Sequence, residues 1–197
     1  KRNNITKPSD LAKTRILAID TSQSINIDMQ AAILEHVRHG ATLLCFCDTE
    51  GVNLLDWLSF PTTTNIRKVW RVLFKNPDSL LDGLGNSDFY WKTQVNIPVF
   101  DVEKMPKGTS TYGLPAVIAN IHEGQGQIFI LPALKPKDFP ANHSIRRNQA
   151  KRFRFYSVFL TNLGVEIDSN IDLEKPLPTT AKLFKRANQT CDFDPDY

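Results

Sequence analysis

The sequence predicts an α/β fold with a mostly parallel central sheet, helices on both of its sides and one hairpin. Three stretches carry that prediction. Residues 15–46, RILAIDTSQSINIDMQAAILEHVRHGATLLCF, read as strand, short loop, amphipathic helix and glycine-stopped return into a second buried strand. Residues 116–134 place two apolar runs around a glycine-rich turn, the signature of a hairpin. Residues 145–163 carry apolar side chains at helix spacing. A strand, helix and strand joined as closely as in 15–46 should make a right-handed parallel crossover, which points to an open sheet covered on both faces.

In chain order, Ile16, Leu17 and Ile19 form a short apolar run ending at Asp20, as a doubly covered strand requires. Asp28 is the expected N-cap of a helix whose buried stripe is Met29, Ile33 and Val37, with Gly40 at its C-terminal stop. The chain re-enters the sheet at residues 41–47. Residues 53–60 gather an apolar cluster around Trp57 and read as a short helix broken by Pro61. Ile66, Val69, Trp70 and Leu73 stand at helix spacing. Residues 78–92, DSLLDGLGNSDFYWK, read as a capped helical turn, a glycine loop and an aromatic strand. In the last helix, Phe155, Tyr156, Phe159, Leu160 and Leu163 make the apolar stripe, Gly164 ends it, and Arg146, Arg147, Lys151, Arg152 and Arg154 read as a solvated basic face.

Composition narrows the function classes. The 197 residues carry 24 Lys and Arg against 21 Asp and Glu, and a net charge of +3 implies neither a nucleic-acid nor a membrane partner. No apolar run approaches the roughly 20 residues that span a bilayer. Cys45, Cys47 and Cys191 make no disulfide framework and no zinc spacing, and the first two, sharing one face of a strand, read as small core residues. His36, His39, His122 and His143 form no metal pair. Gly83 and Gly85 give a G-x-G without the third glycine of a dinucleotide loop. The chain opens on Lys1 and closes on the polar CDFDPDY, so both ends read as cut from something longer. Residues 1–14 are then expected to be a linker from a preceding domain and 168–197 a linker towards a following one, with the α/β domain at 15–167.

Together RILAID, HVRHGATLLCF, LLDGLGNSDFYW, HEGQGQIFILPAL and FYSVFLTNLGV resemble the glutamine-amidotransferase-like domain inside large bacterial glycoside hydrolases, β-galactosidase-like enzymes of family 2 type. The resemblance spans about Ser9 to Ile167, and Ala41 stands where that pattern usually has a second glycine. It implies a flavodoxin-like three-layer sandwich, a non-catalytic ancillary role in a multidomain carbohydrate-degrading enzyme, and a secreted or periplasmic setting. The partners it implies are other domains of the same polypeptide, with a second copy of the chain and a polysaccharide as further candidates. No cofactor is implied. Amidotransferase chemistry needs a cysteine on a sharp elbow with His and Glu late in the chain, and no position here matches, so no catalytic residue is expected. For carbohydrate contact, Tyr90 and Trp91 offer flat faces and Asp88 a hydrogen-bonding carboxylate.

Two rival classes leave their own marks. Asp20, Ser22 and Ser24 spell Asp-x-Ser-x-Ser at a strand end, similar to the metal-ion-dependent adhesion site of von Willebrand A domains, whose hard oxygens suit magnesium. That reading lacks a later Asp-Gly after a hydrophobic strand. An amidase or esterase would need Gly-x-Ser-x-Gly, and the nearest serine, Ser87, has no glycine on its far side.

Overall fold

The structure, a computed structural model, describes residues 5, 7–21, 24–47, 56–58, 64–74, 79–135 and 145–165. Seven strands and two α-helices make up its regular part: β1 (Ile16–Asp20), α1 (Ile27–Arg38), β2 (Thr42–Cys47), β3 (Thr64–Arg71), β4 (Tyr90–Phe100), β5 (Ser110–Tyr112), β6 (Ile118–Glu123), β7 (Gly126–Pro132) and α2 (Ile145–Asn162). The central sheet has the order β1-β2-β7-β6-β5. β1, β2 and β7 run parallel, while β6 and β5 each run antiparallel to their neighbours. β3 and β4 form a separate antiparallel pair. The architecture is thus an α/β flavodoxin-like sandwich.

Strand alternation sorts the core into two halves. In β2, Leu43, Cys45 and Cys47 face α1 and join Ile33 and Val37, while Leu44 faces the opposite layer with Phe129, Phe155 and Phe159. That opposite layer is α2 together with the β3–β4 pair, whose Val95, Ile97 and Val99 point inward. Both faces of the sheet are covered, which is why β2 and β7 read as nearly continuous apolar runs.

α1 starts two residues earlier than its expected cap would place it. Asn26, not Asp28, accepts from the Met29 N–H at 2.8 Å, and Asp28 lies inside the first turn. Its end matches expectation closely. Gly40, at φ 106°, sends its N–H to Val37 O at 2.8 Å, and Ala41 N–H reaches His36 O at 3.3 Å, the two bonds of a Schellman stop. The two-residue loop Gly124-Gln125 joins β6 to β7, with Gly124 at φ 61°, the first loop position where a type II′ turn needs a glycine. α2 ends at Gly164, φ 80°, as its spacing predicts.

One expectation is corrected, and two elements are added to those expected. The stretch around Ile66, Val69 and Trp70 is strand β3, because its β-branched and basic residues pair with β4 and only Val69 turns towards the core. The sheet gains a second antiparallel neighbour, β5, that the sequence does not announce. Residues Pro8–Lys13 form a 3-10 helix that places Leu11 in the α1-side core. The expected helix at 53–60 falls outside the described residues except at 56–58, and His143, Cys191 and residues 168–197 lie outside them altogether.

Candidate functional site

In open α/β sheets, ligands gather at the carboxyl ends of the parallel strands, here Asp20, Cys47 and the residues after Pro132. The Lys135 ammonium lies 3.0 Å from each oxygen of Asp20. Thr21 turns inward, its N–H and hydroxyl both donating to Phe46 O at 3.1 and 3.2 Å. Ser24 is exposed, and Ser22 lies outside the described residues. The carboxylate of the Asp-x-Ser-x-Ser motif therefore already has a cation against it, supplied by the chain. Among the described residues no three His, Cys, Asp or Glu side chains converge on a metal position. Leu134, at φ 46°, is the one described non-glycine residue in the left-handed region, and the burial of its side chain in the α2-side core holds it there.

The cysteines at this edge are packed away. Cys45 and Cys47 are buried and enclosed in the α1-side core. Burial pushes the Cys45 thiol well above its ordinary range, and Cys47 beside it pushes in the same direction. A reactive thiol needs the reverse, an open and electropositive setting. His36 holds its ring nitrogen 2.6 Å from Thr14 O, and His39 lies against the Glu35 carbonyl at 2.8 Å, so both serve the helix surface.

The second region is the aromatic corner between residues 79 and 91 and α2. Asp88 accepts from the Gly85 N–H at 2.9 Å and from Arg154 Nε at 3.0 Å. Arg154 also donates to Gly83 O at 2.7 Å, and Asn162 donates to Leu80 O and Asp82 O, each at 3.0 Å. Lys151 donates to Ser87 O at 2.6 Å and to Tyr90 O. Beneath this polar lid, the Phe89 ring packs on Phe74, Phe155 and Trp91 at centroid distances of 4.6, 5.0 and 6.3 Å. The carbonyls left open around the two 3-10 turns Ser79–Leu81 and Asn86–Phe89 are thus satisfied from α2, which fixes the turns over an aromatic core.

Of the three residues expected to touch sugars, the structure separates one from the others. Trp91 is 1% exposed and has no face to offer, because strand alternation turns it inward beside Val95 and Ile97. Asp88 is committed to Arg154 and the Gly85 N–H. Tyr90 remains 43% exposed, with the Lys151 ammonium 5.9 Å from its ring centre. A hollow of about 150 Å³ opens among Phe74, Leu81, Leu84, Asn86 and Phe89. It is half the size of the smallest ordinary ligand pockets, roughly 300 Å³. Sequence reasoning missed Trp70, exposed by 50% on β3, since a helix stripe would have buried it. It also missed Lys135, Lys151 and Arg154 as partners; the i, i+3 spacing of the last two on α2 was the available signal.

The fold and these contacts define an α/β flavodoxin-like domain in which the polar residues of the resemblance motifs serve packing. No family model matches the chain, and no curated protein matches it. Among solved structures, Cytoplasmic Protein STM3548 from Salmonella typhimurium is similar at TM-score 0.58 and 11% identity, over 82% of this chain and 74% of that one. Cytoplasmic Protein STM1381 from Salmonella typhimurium LT2 is similar at TM-score 0.52 and 11% identity, over 79% and 73%. These likenesses show the fold alone. A looser one covers 80% of this chain and only 22% of Gan42B, a GH42 β-galactosidase, at 11% identity and TM-score 0.45, a level that carries no argument.

Proposed function

We propose that this chain is a non-catalytic ancillary domain of a multidomain carbohydrate-degrading enzyme, contributing shape and contact surface. The observation that carries this reading is the fate of the motifs that resemble the amidotransferase-like domain of large glycoside hydrolases. LLDGLGNSDFYW is spent on a loop clamped by Lys151, Arg154 and Asn162. HEGQGQIF is spent on a turn seated against the end of α1, where Gln125 N–H donates to Arg38 O at 2.9 Å and Arg38 Nε pairs with Glu123 at 2.8 Å. The Cys47 side chain, at the carboxyl end of a central parallel strand, is packed inward. Each motif maintains a scaffold, and a scaffold is what an ancillary domain supplies.

The test is turnover by the purified chain on glutamine and on a panel of aryl glycosides. The expected result is no product above buffer for either class. Turnover that disappears with Cys47→Ser, or with any single substitution at the carboxyl edge of the sheet, overturns the reading.

A further inference from the structure

Charge is segregated in this protein far beyond what its net +3 suggests. β3 holds Arg67, Lys68 and Arg71, β4 holds Lys92, and α2 holds Arg146, Arg147, Lys151, Arg152 and Arg154, nine in all, with no Asp or Glu in the three elements. Elsewhere the chain carries fifteen Lys and Arg against all 21 acidic residues. These three elements form one layer, the one covering the sheet opposite α1. Lys151 and Arg154 are consumed by loop carbonyls and Asp88. Arg67, Lys68 and Arg71 are exposed and make no ion pair with a described residue.

The same face shows apolar rings. Trp70 and Tyr90 are two of the large apolar side chains left exposed among the described residues, and Tyr90 is the cross-strand partner of Arg71. Beyond them the register sets Lys68 opposite Asn96 and Ile66 opposite Pro98. The eight residues of β3 run for about 26 Å at the usual rise per residue. Charged side chains on an edge strand ordinarily guard against unwanted strand pairing. That role does not call for an exposed Trp and Tyr among them, which cost solubility and suit a partner with flat apolar faces.

We propose that the outer face of the β3–β4 pair docks an anionic polysaccharide, a chain of sugar rings bearing carboxylates. Trp70 and Tyr90 stack on the apolar faces of the rings, Arg71 and Lys68 pair with carboxylates, and Asn96 hydrogen-bonds hydroxyls. The identification rests on the carbohydrate reading above. Single-stranded nucleic acid also combines stacking with negative charge, but among the described residues the outer face of the pair itself offers Lys68 and Arg71, few beside the 6–10 phosphate contacts that sustain strong backbone binding.

The experiment is affinity electrophoresis of the full 197-residue chain in gels containing polygalacturonate, neutral galactan or single-stranded DNA. Retardation is expected in polygalacturonate, reduced by salt, and absent in galactan. Trp70→Ala and Arg71→Ala should each weaken it about tenfold, the scale of one lost stacking or charge-assisted contact. Ile27→Ala, an exposed apolar residue of α1 in the opposite layer, should leave it unchanged. Circular dichroism shows whether each variant is folded, and Arg71→Gln replaces Arg71→Ala if that one is not. Equal retardation in galactan would overturn the anionic partner while leaving the carbohydrate reading intact. Stronger retardation in DNA would overturn it in favour of nucleic acid. No retardation in any gel would dispose of the docking face, whereas the ancillary role fails only by turnover.

Discussion

Gly126 opens β7 where the strand passes directly beneath the C-terminal corner of α1. A Cβ placed there would stand 2.1 Å from Val37 O and 2.3 Å from Ala41 O, both backbone atoms, where ordinary contact begins near 3.4 Å. Gly126→Ala therefore forces α1 and β7 apart by about 1 Å, a shift of the size that overpacking costs of roughly 1–3 kcal/mol describe. It also strains the bonds Gln125 N–H to Arg38 O, 2.9 Å, and Gln127 N–H to Ala41 O, 3.3 Å. Each is worth about 1 kcal/mol. Against this stands the reduced entropy of the unfolded chain, about 0.4–1 kcal/mol in favour of alanine. The net expectation is a loss of about 3 kcal/mol, or roughly 6–12 °C in Tm for a chain of this size. Gly85→Ala serves as the control, since its Cβ would meet only Ser87 Oγ at 3.6 Å. Differential scanning calorimetry or urea unfolding at constant m-value reads both. A Gly126→Ala protein melting within about 2 °C of the parent would refute the close approach of α1 and β7.

Other expectations follow from the same contacts. Asn26→Ala should cost about 1 kcal/mol by urea unfolding, and Asp28→Ala clearly less, because Asn26 makes the capping bond; the opposite ranking would restore Asp28 as the cap. Phe155→Ala, which removes a ring buried against Phe89 and Phe159, should cost about 3–5 kcal/mol, whereas a cost under about 1 kcal/mol would mean that α2 does not seat on this core. Asp88→Asn should cost about 1 kcal/mol, kept small by the exposure of Arg154, and the cost should shrink in high salt; salt-independence would deny the ion pair. For pH, the Cys45 thiol is raised by burial first and by Cys47 second, so the folded state holds its proton longer than the unfolded chain. Its contribution to stability is then constant below the unfolded thiol value of about 8.5 and declines as pH rises past it. Cys45→Ala should flatten that alkaline limb of the stability profile, and an unchanged limb would count against the assignment.

Much of this fold was legible because local and tertiary signals agreed. The run from Arg15 to Cys47 carries a period-consistent helix between an apolar edge strand, β1, which buries Leu17 but leaves Ala18 exposed where a doubly covered strand was expected, and the doubly buried β2, and Gly40 stops that helix with the bonds its position implies. The hairpin at 118–132 was equally plain, since its two-residue loop has glycine where only glycine fits. β3 was misread for a physical reason. It is covered on one side only and irregular between Val69 and Arg71, so its apolar residues lose the period-2 alternation and fall at helix spacing. The N-cap was missed because Asn26 and Asp28 are equally good capping types two residues apart, and the bond to the Met29 N–H is what singles out Asn26.

The site was harder to read because its partners are distant in sequence. Asp20 meets Lys135 and Asp88 meets Arg154, separations of 115 and 66 residues, and no local pattern encodes either. Net charge misled in a more instructive way. A total of +3 is compatible with an even surface, yet here it is the difference between three elements without an Asp or Glu and an acidic remainder. Because fields at a surface fall off within about 8–10 Å at physiological salt, a partner approaching β3 and β4 feels that layer and not the whole-chain sum. The relevant electrostatic quantity is therefore charge per layer, which requires knowing that α2 and the β3–β4 pair lie on the same side of the sheet.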